Sequence, residues 1–226
     1  MNKTLPLGDI VATYPKAATI FENNNIDYCC HGYHTLEQAI KDHPNADTIM
    51  TQLKVLKNNN HSDNQDWTKA PISDLISHIL QTHHAYLYKT LPILSDLSTK
   101  IYRVHGQTHE ELKDVHRLFH TLKLELDEHL IKEETIQYPA IESYLATHDT
   151  DALIKAKTII ENLESEHEIA GDALKSLREI TKDYTIPNDA CEAYEKTYTL
   201  LRELEKDMFT HIHLENNVLF KRILAL

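Results

Sequence analysis

The chain has 226 residues, 41% of them hydrophobic and 26% charged, so it can bury a core and stay soluble. A net charge of -12 argues against nucleic acid or an anionic membrane as partner, and no apolar run approaches the roughly 20 residues of a membrane span. Glycine occurs only four times where average usage of about 7% gives roughly 16, which favours long helices, while sixteen histidines invite a search for metal-ligand spacing.

Two short helical patterns open the chain. Leu7 to Asn24 carries Ile10, Val11, Ala18, Ile20 and Phe21, and Thr35 can cap a second pattern with Leu36, Ala39 and Ile40. Between them, residues 26–32 read Ile-Asp-Tyr-Cys-Cys-His-Gly. So small a module is marginal as an independent core and needs a partner, a metal or its neighbour to be rigid. The opening MNKTLPLGDI lacks the apolar core of a signal peptide, so the cytoplasm is the expected compartment. Three cysteines, two of them adjacent, are not a disulfide framework. The polar, Asn-rich stretch from Asn58 to Pro71 reads as a linker. The expected organisation is a small helical domain over 1–58, a linker over 59–71 and a larger module over 72–226.

Four long helical patterns follow. The first runs from about Ser73 to Leu97 through Leu75, Ile76, Ile79, Leu80, Leu87 and Leu91. A second, from about His109 to Leu145, carries Leu112, Val115, Phe119, Leu122, Leu126, Leu130 and Ile141. The third, from about Asp151 to Thr181, alternates by threes and fours through Leu153, Ala156, Ile160, Leu163, His167, Ala170, Leu174 and Leu177. The last, from about Asp189 to Ile223, passes through Cys191, Tyr194, Tyr198, Leu201, Leu204, Met208, His211, Glu215 and Val218. Amphipathic helices with short connections predict an all-α, antiparallel four-helix bundle preceded by the small helical domain.

Histidine and glutamate are rarely buried without a partner, yet His167, His211 and Glu215 fall on core seams. His211 and Glu215 are four apart and share a helix face, and His129 and Glu133 repeat the arrangement. The spacing is duplicated. His84 to His129 is 45 residues and His167 to His211 is 44; His129 to His211 and Glu133 to Glu215 are both 82, and His84 to His167 is 83. Residues after each pair match in type, Ile136, Tyr138 and Ile141 against Val218, Phe220 and Ile223. Two helix pairs about a pseudo-twofold axis would bring four imidazoles and two carboxylates to one point. That set suits two metal ions, each with two imidazoles, bridged by Glu133 and Glu215. Mixed imidazole and carboxylate ligation in a bundle core favours iron, with zinc or manganese as substitutes.

Blander readings stand beside this one. A lone core histidine is more often hydrogen-bonded than a ligand, and a His–Glu pair at four residues is often a weak surface pair. His83 competes with His84, which periodicity does not separate from it. His213 is expected to face solvent, and His105, His109, His116 and His120 are read as tempting pairs, with His116 and His120 taken as surface residues. Glu125 and Glu166, near His129 and His167, either line a path for iron or protons, hold a ligand imidazole, or lie on a solvated face. Adjacent Cys29 and Cys30 would form a strained, reducible disulfide, bind iron or a nitrosyl as thiolates, or merely pack. Cys191 is read as inert on an apolar face.

The larger module resembles hemerythrin-like domains, which pair a buried His with His-x-x-x-Glu in the next helix. The stretches HLIKEETIQYP from His129, ESEHEIAG from Glu164 and HIHLENNVLF from His211 are similar to those of the RIC (repair of iron centres) family, as is the Ile-Asp-Tyr-Cys-Cys-His-Gly motif. His31 stands where that family often has a small residue. The resemblance implies a cytoplasmic protein with an oxo-bridged non-haem di-iron centre that meets nitric oxide or oxygen as small ligands. It implies repair of iron–sulfur clusters damaged by nitrosative or oxidative stress, by iron donation through Cys29 and Cys30. Its partners would be damaged iron–sulfur proteins, with room for a homodimer and none for nucleic acid or membrane. Two other functions stay open: reduction of nitric oxide to nitrous oxide at the di-iron site, and a sensor or store for oxygen, nitric oxide or iron. The implied ligands are the six already selected: His84, His129, Glu133, His167, His211 and Glu215.

Overall fold

Three-and-four spacing of apolar side chains, with little glycine to interrupt it, gives helices and no strands among the described residues, which are 1–58 and 65–226 of a computed structural model. Residues 59–64 of the expected linker lie outside the described residues. The end of that linker is folded: Asp66 accepts from the Thr68 amide at 3.1 Å, and the Ala70 amide returns to the Asp66 carbonyl at 3.0 Å. Chain contacts separate two compact units, Met1–Ser77 with Thr210–Leu226, and His78–Phe209.

The second unit is an antiparallel four-helix bundle. Its first long helix reaches α6 (Ala85–His105) through a π turn at Leu80–His84, which follows α5 (Ile72–Ile79). The next is α7 (Leu112–Lys132), carried by a π turn at Glu133–Gln137 into α8 (Tyr138–Thr147). Then come α9 (Thr150–Ile180), capped by the Asp149 side chain on the Asp151 amide, and α10 (Glu192–His213). Helix α7 packs on α6 and α9, and α8 packs on α9. The seams predicted from sequence are the buried ones: Val115, Phe119, Leu122 and Leu126 on α7; Ala156, Ile160, Leu163 and Leu174 on α9; Tyr198, Leu201, Leu204 and Met208 on α10. Arg178 of α9 ties to α10 through Glu205, with both Nε and Nη2 3.0 Å from Oε2. Cys191 departs from expectation. It precedes α10 and is exposed, its Sγ 3.2 Å from His105 Nε2.

The first unit contains what reads in sequence as one helix from Leu7 to Asn24. It is two, α1 (Leu7–Thr13) and α2 (Ala17–Glu22), because Pro15 disfavours helical backbone at Tyr14, which sits at φ -130° and ψ 79°. Thr35 caps α3 (Leu36–Ile40) as expected, in a reciprocal box with Gln38. Helix α4 (Ala46–Asn58) went unread in the sequence, where its few apolar positions give a weak stripe; it packs on α2 and buries Ile49 and Leu53.

The marginal core of this unit is completed from the other end of the chain. The π segment Leu214–Phe220 packs on α1 and leads into α11 (Lys221–Leu224). Asn217 Nδ2 donates to the carbonyls of Tyr28 at 3.3 Å and Cys29 at 2.9 Å, Lys221 pairs with Asp9 at 2.6 Å, and Arg222 donates to the Trp67 carbonyl at 2.9 Å. Asn217 lies so close to the loop that a Cβ on Gly32 would meet its Oδ1 at 2.1 Å and the Tyr28 carbonyl oxygen at 2.6 Å. Gly32→Ala is therefore expected to destabilise the chain by about 2 kcal/mol, the usual scale of overpacking. A lower urea midpoint at unchanged slope is the reading that checks it.

Candidate metal centre

Within the bundle unit four expected ligands converge. His84 closes the first π turn, His129 lies in the last turn of α7, Glu133 opens the second π turn, and His167 sits midway along α9. All four are buried, Glu133 completely. His84 Nε2 is 3.3 Å from Glu133 Oε2, and His129 Nε2 is 3.1 Å from Glu133 Oε1. His167 Nε2 is 2.9 Å from His129 Nε2 and 3.9 Å from Glu133 Oε1. In the other unit His211 and Glu215 are equally buried, with Nε2 3.2 Å from Oε2.

The outer nitrogens say which tautomers are present. His129 Nδ1 meets Glu166 Oε2 at 2.8 Å, and His84 Nδ1 meets Glu134 Oε1 at 2.8 Å. A carboxylate only accepts, so each Nδ1 carries the proton, and each imidazole in its neutral form turns an Nε2 lone pair inward. Those lone pairs face the Glu133 oxygens, which are acceptors too. Acceptors facing one another at 3.1–3.3 Å in a dry core are reconciled by a cation, so this donor set fits a metal ion of the imidazole- and carboxylate-binding class. The His129 imidazole, with Lys132 beside it, holds the Glu166 carboxyl down at about 2, so Glu166 remains charged over the physiological range. Tyr88 donates to Glu134 at 3.1 Å, and the Tyr138 hydroxyl stands 3.5 Å from His84 Nε2.

Three of the expected ligands stand in π-helical turns: His84, Glu133 and Glu215, the last in Leu214–Phe220. A π turn inserts one residue and is often found at functional sites. It also resets the register beyond it. Ile136 is 36% exposed while Gln137 and Tyr138 are buried, so the expected match of Ile136 with buried Val218 holds in residue type but not in environment.

Of the tempting residues, some are displaced from their expected places. His83 turns to α10, its Nδ1 2.9 Å from Asp207 Oδ1, which leaves His84 as the residue facing Glu133. Glu166 takes the imidazole-holding role, whereas Glu125 lies exposed on α7. Glu134, unnoticed in the sequence, does for His84 what Glu166 does for His129; only its adjacency to Glu133 hinted at it. His213 is not solvent-facing. It is buried, edge-on to Tyr28 with ring centroids 5.6 Å apart, and burial pushes its imidazole down to about 4. His116 and His120 are half-buried rather than on the surface, with Nε2 atoms 3.1 and 3.3 Å from Thr99 Oγ1. His105 and His109 stand at the loop before α10, where His109 Nε2 meets Asp189 at 3.1 Å. Cys29 is buried and Cys30 half-buried, both thiols outside any disulfide, with sulfurs 3.7 Å apart. The hydrogen bond with Cys30, then burial, pushes the Cys29 thiol up, so it is protonated in the metal-free chain.

Residues 75–223 match the Hemerythrin HHE cation binding domain, and residues 3–57 match ScdA_N, a domain of unknown function. Over 220 residues the chain is 34% identical to the iron-sulfur cluster repair protein YtfE of Shigella boydii, spanning 97% of this chain and 96% of that protein. The protein of the same name from Salmonella typhimurium is 34% identical over 221 residues, with the same coverage. The iron-sulfur cluster repair protein ScdA of Staphylococcus epidermidis is 31% identical over 219 residues, 96% of each chain.

Because Glu166 and Glu134 fix the imidazoles through charge, Glu166→Gln and Glu134→Gln are each expected to lower iron affinity about 10- to 100-fold. Chelator competition measures it, with exposed Glu125→Gln as the unchanged control.

Proposed function

Since the chain belongs to the hemerythrin HHE family, and within it to the YtfE and ScdA iron-sulfur cluster repair proteins, we propose that it holds two iron ions in one centre and gives iron back to damaged iron–sulfur clusters. The observation that carries this reading is the pair of buried carboxylates, Glu133 and Glu215, each beside an imidazole Nε2 in a core without water-facing relief. His84, His129, Glu133, His167, His211 and Glu215 are taken as ligands, with the two glutamates bridging. Support comes from the duplicated spacing, from the burial of all six, and from the single family match that runs from 75 to 223 across both His-x-x-x-Glu pairs.

Bound iron supplies an exchangeable, redox-active cation with room for a small ligand such as nitric oxide or oxygen. The chain's own residues do the rest. Glu134 and Glu166 hold His84 and His129 with Nε2 inward, and a set with one imidazole fewer than that of oxygen-carrying hemerythrins would leave the irons more open and more labile. Such a site binds iron firmly enough to load and loosely enough to release. Cys29 and Cys30 serve as thiols on the route out, and damaged iron–sulfur proteins are the recipients. We take the chain to be divided into 1–58 and 72–226, joined at 59–71, a reading supported by the two family matches at 3–57 and 75–223. No helix of the described residues is long and apolar enough to cross a membrane; we take the site of action to be the cytoplasm.

The iron-loaded protein mixed with a nitric-oxide-treated iron–sulfur hydro-lyase should restore activity beyond an equal dose of free ferrous iron, and Glu215→Ala should abolish the excess. No excess over free iron sinks the repair reading. Nitrous oxide evolved from nitric oxide by the reduced protein, without such recovery, would make it a reductase instead.

A further inference from the structure

The Cys-Cys loop has a geometry of its own. Asp27 Oδ1 accepts from the amides of Cys29, Cys30 and His31 at 3.1, 3.0 and 3.3 Å, a side-chain-capped turn that swings adjacent thiols to one side. Cys29 Sγ then lies 3.7 Å from Cys30 Sγ and 3.4 Å from Asp27 Oδ1, and the three ligand atoms are all within 4.8 Å of one another. A tetrahedral ion with metal–sulfur bonds near 2.3 Å and a metal–oxygen bond near 2.0–2.2 Å separates two sulfurs by about 3.8 Å and a sulfur from an oxygen by about 3.6 Å. The two separations that involve Cys29 already lie close to those values. Asp27 Oδ2 is oriented by His31 Nδ1 at 2.9 Å, and Asn217 holds the backbone from below through the Tyr28 and Cys29 carbonyls.

We propose that Asp27, Cys29 and Cys30 form a second cation site, separate from the His and Glu ligands, for one borderline-soft divalent ion such as ferrous iron or zinc. Two thiolates and one carboxylate are its ligands, and the fourth position stays open. Binding replaces the proton on each sulfur, so one divalent ion enters as two protons leave to solvent. An open position is the mark of a site that exchanges its ion or takes a further ligand, where a structural site is closed by four protein ligands. Asn217 is two residues from Glu215 on the same π turn, so the loop is anchored on the segment that carries one proposed ligand of the bundle centre. The site stands on the loop's geometry; only its use, as a station for iron on the way to a damaged cluster, rests on the repair reading.

Cobalt(II) chloride titrated anaerobically into the reduced full chain reports thiolate ligation through sulfur-to-cobalt charge-transfer absorption, which imidazole and carboxylate ligands do not give. The band is expected to saturate at a single cobalt per chain, to vanish in the double variant Cys29→Ser, Cys30→Ser, and to persist in Cys191→Ser. Asp27→Asn keeps an oxygen for the three amides but removes the charge, and should raise the cobalt midpoint at least tenfold with circular dichroism unchanged. No band, a band lost with Cys191→Ser, or an Asp27→Asn titration like the parent's would overturn the site. Cluster recovery measured on the same samples separates the two ideas. Recovery without the band removes this site and leaves the repair reading intact, whereas the band without recovery supports the site and removes only its assigned use.

Discussion

Two carboxylates with no exposed surface, Glu133 and Glu215, set the terms for the rest of the molecule. An ionised carboxylate taken out of water costs several kcal/mol even after relaxation, and neighbouring neutral imidazoles return only part of it. The chain does not evade this cost by exposing them. It surrounds Glu133 with imidazole Nε2 atoms whose protons are held on the far side by Glu134 and Glu166, so the inner surface is made of acceptors. Such an arrangement fits the negative half of a metal centre. His84, Glu133 and Glu215 each stand in a π turn, a local insertion frequent at functional sites.

A second constraint acts on the small unit. Too short to close a core by itself, it borrows residues 210–226, and the contacts are specific: Asn217 on two carbonyls of the Cys-Cys loop, His213 edge-on to Tyr28, Lys221 on Asp9. The residues flanking the second His-x-x-x-Glu pair thus do double duty. His211 and Glu215 are the buried pair proposed as ligands, while His213 and Asn217, each two residues from one of them, hold the thiol loop. Any shift of this π segment is felt by both motifs, which gives the glycine at 32 its reason: a side chain there has no space against Asn217.

Much of this was legible in the sequence because the relevant signals are periodic. The bundle seams on α7, α9 and α10 follow three-and-four spacing, and the duplicated 82-residue interval between His129 and His211 and between Glu133 and Glu215 singled out buried polar residues among sixteen histidines. What escaped is what periodicity does not encode. A π turn adds one residue without changing composition, so Ile136 does not share the burial of its counterpart Val218. Glu134 and Asp207 act through partners 50 and 124 residues away, His84 and His83, which no local pattern reports. His213 looks like a solvent-facing residue on an ideal helix and is buried because another part of the chain covers it. Helix α4 was missed because its apolar stripe is thin, and the break at Pro15 because apolar residues continue in phase across it.

The central claim is that the buried carboxylates and imidazoles exist to hold a pair of iron ions. Anaerobic loading of the metal-free chain with ferrous iron, with bound iron and thermal midpoint followed on the same samples, tests it most directly. The account predicts two tightly held irons per chain and a midpoint that climbs as they bind, because the cation relieves the buried charge. A chain that retains no iron after desalting, or that melts at the same temperature loaded and empty, would contradict it.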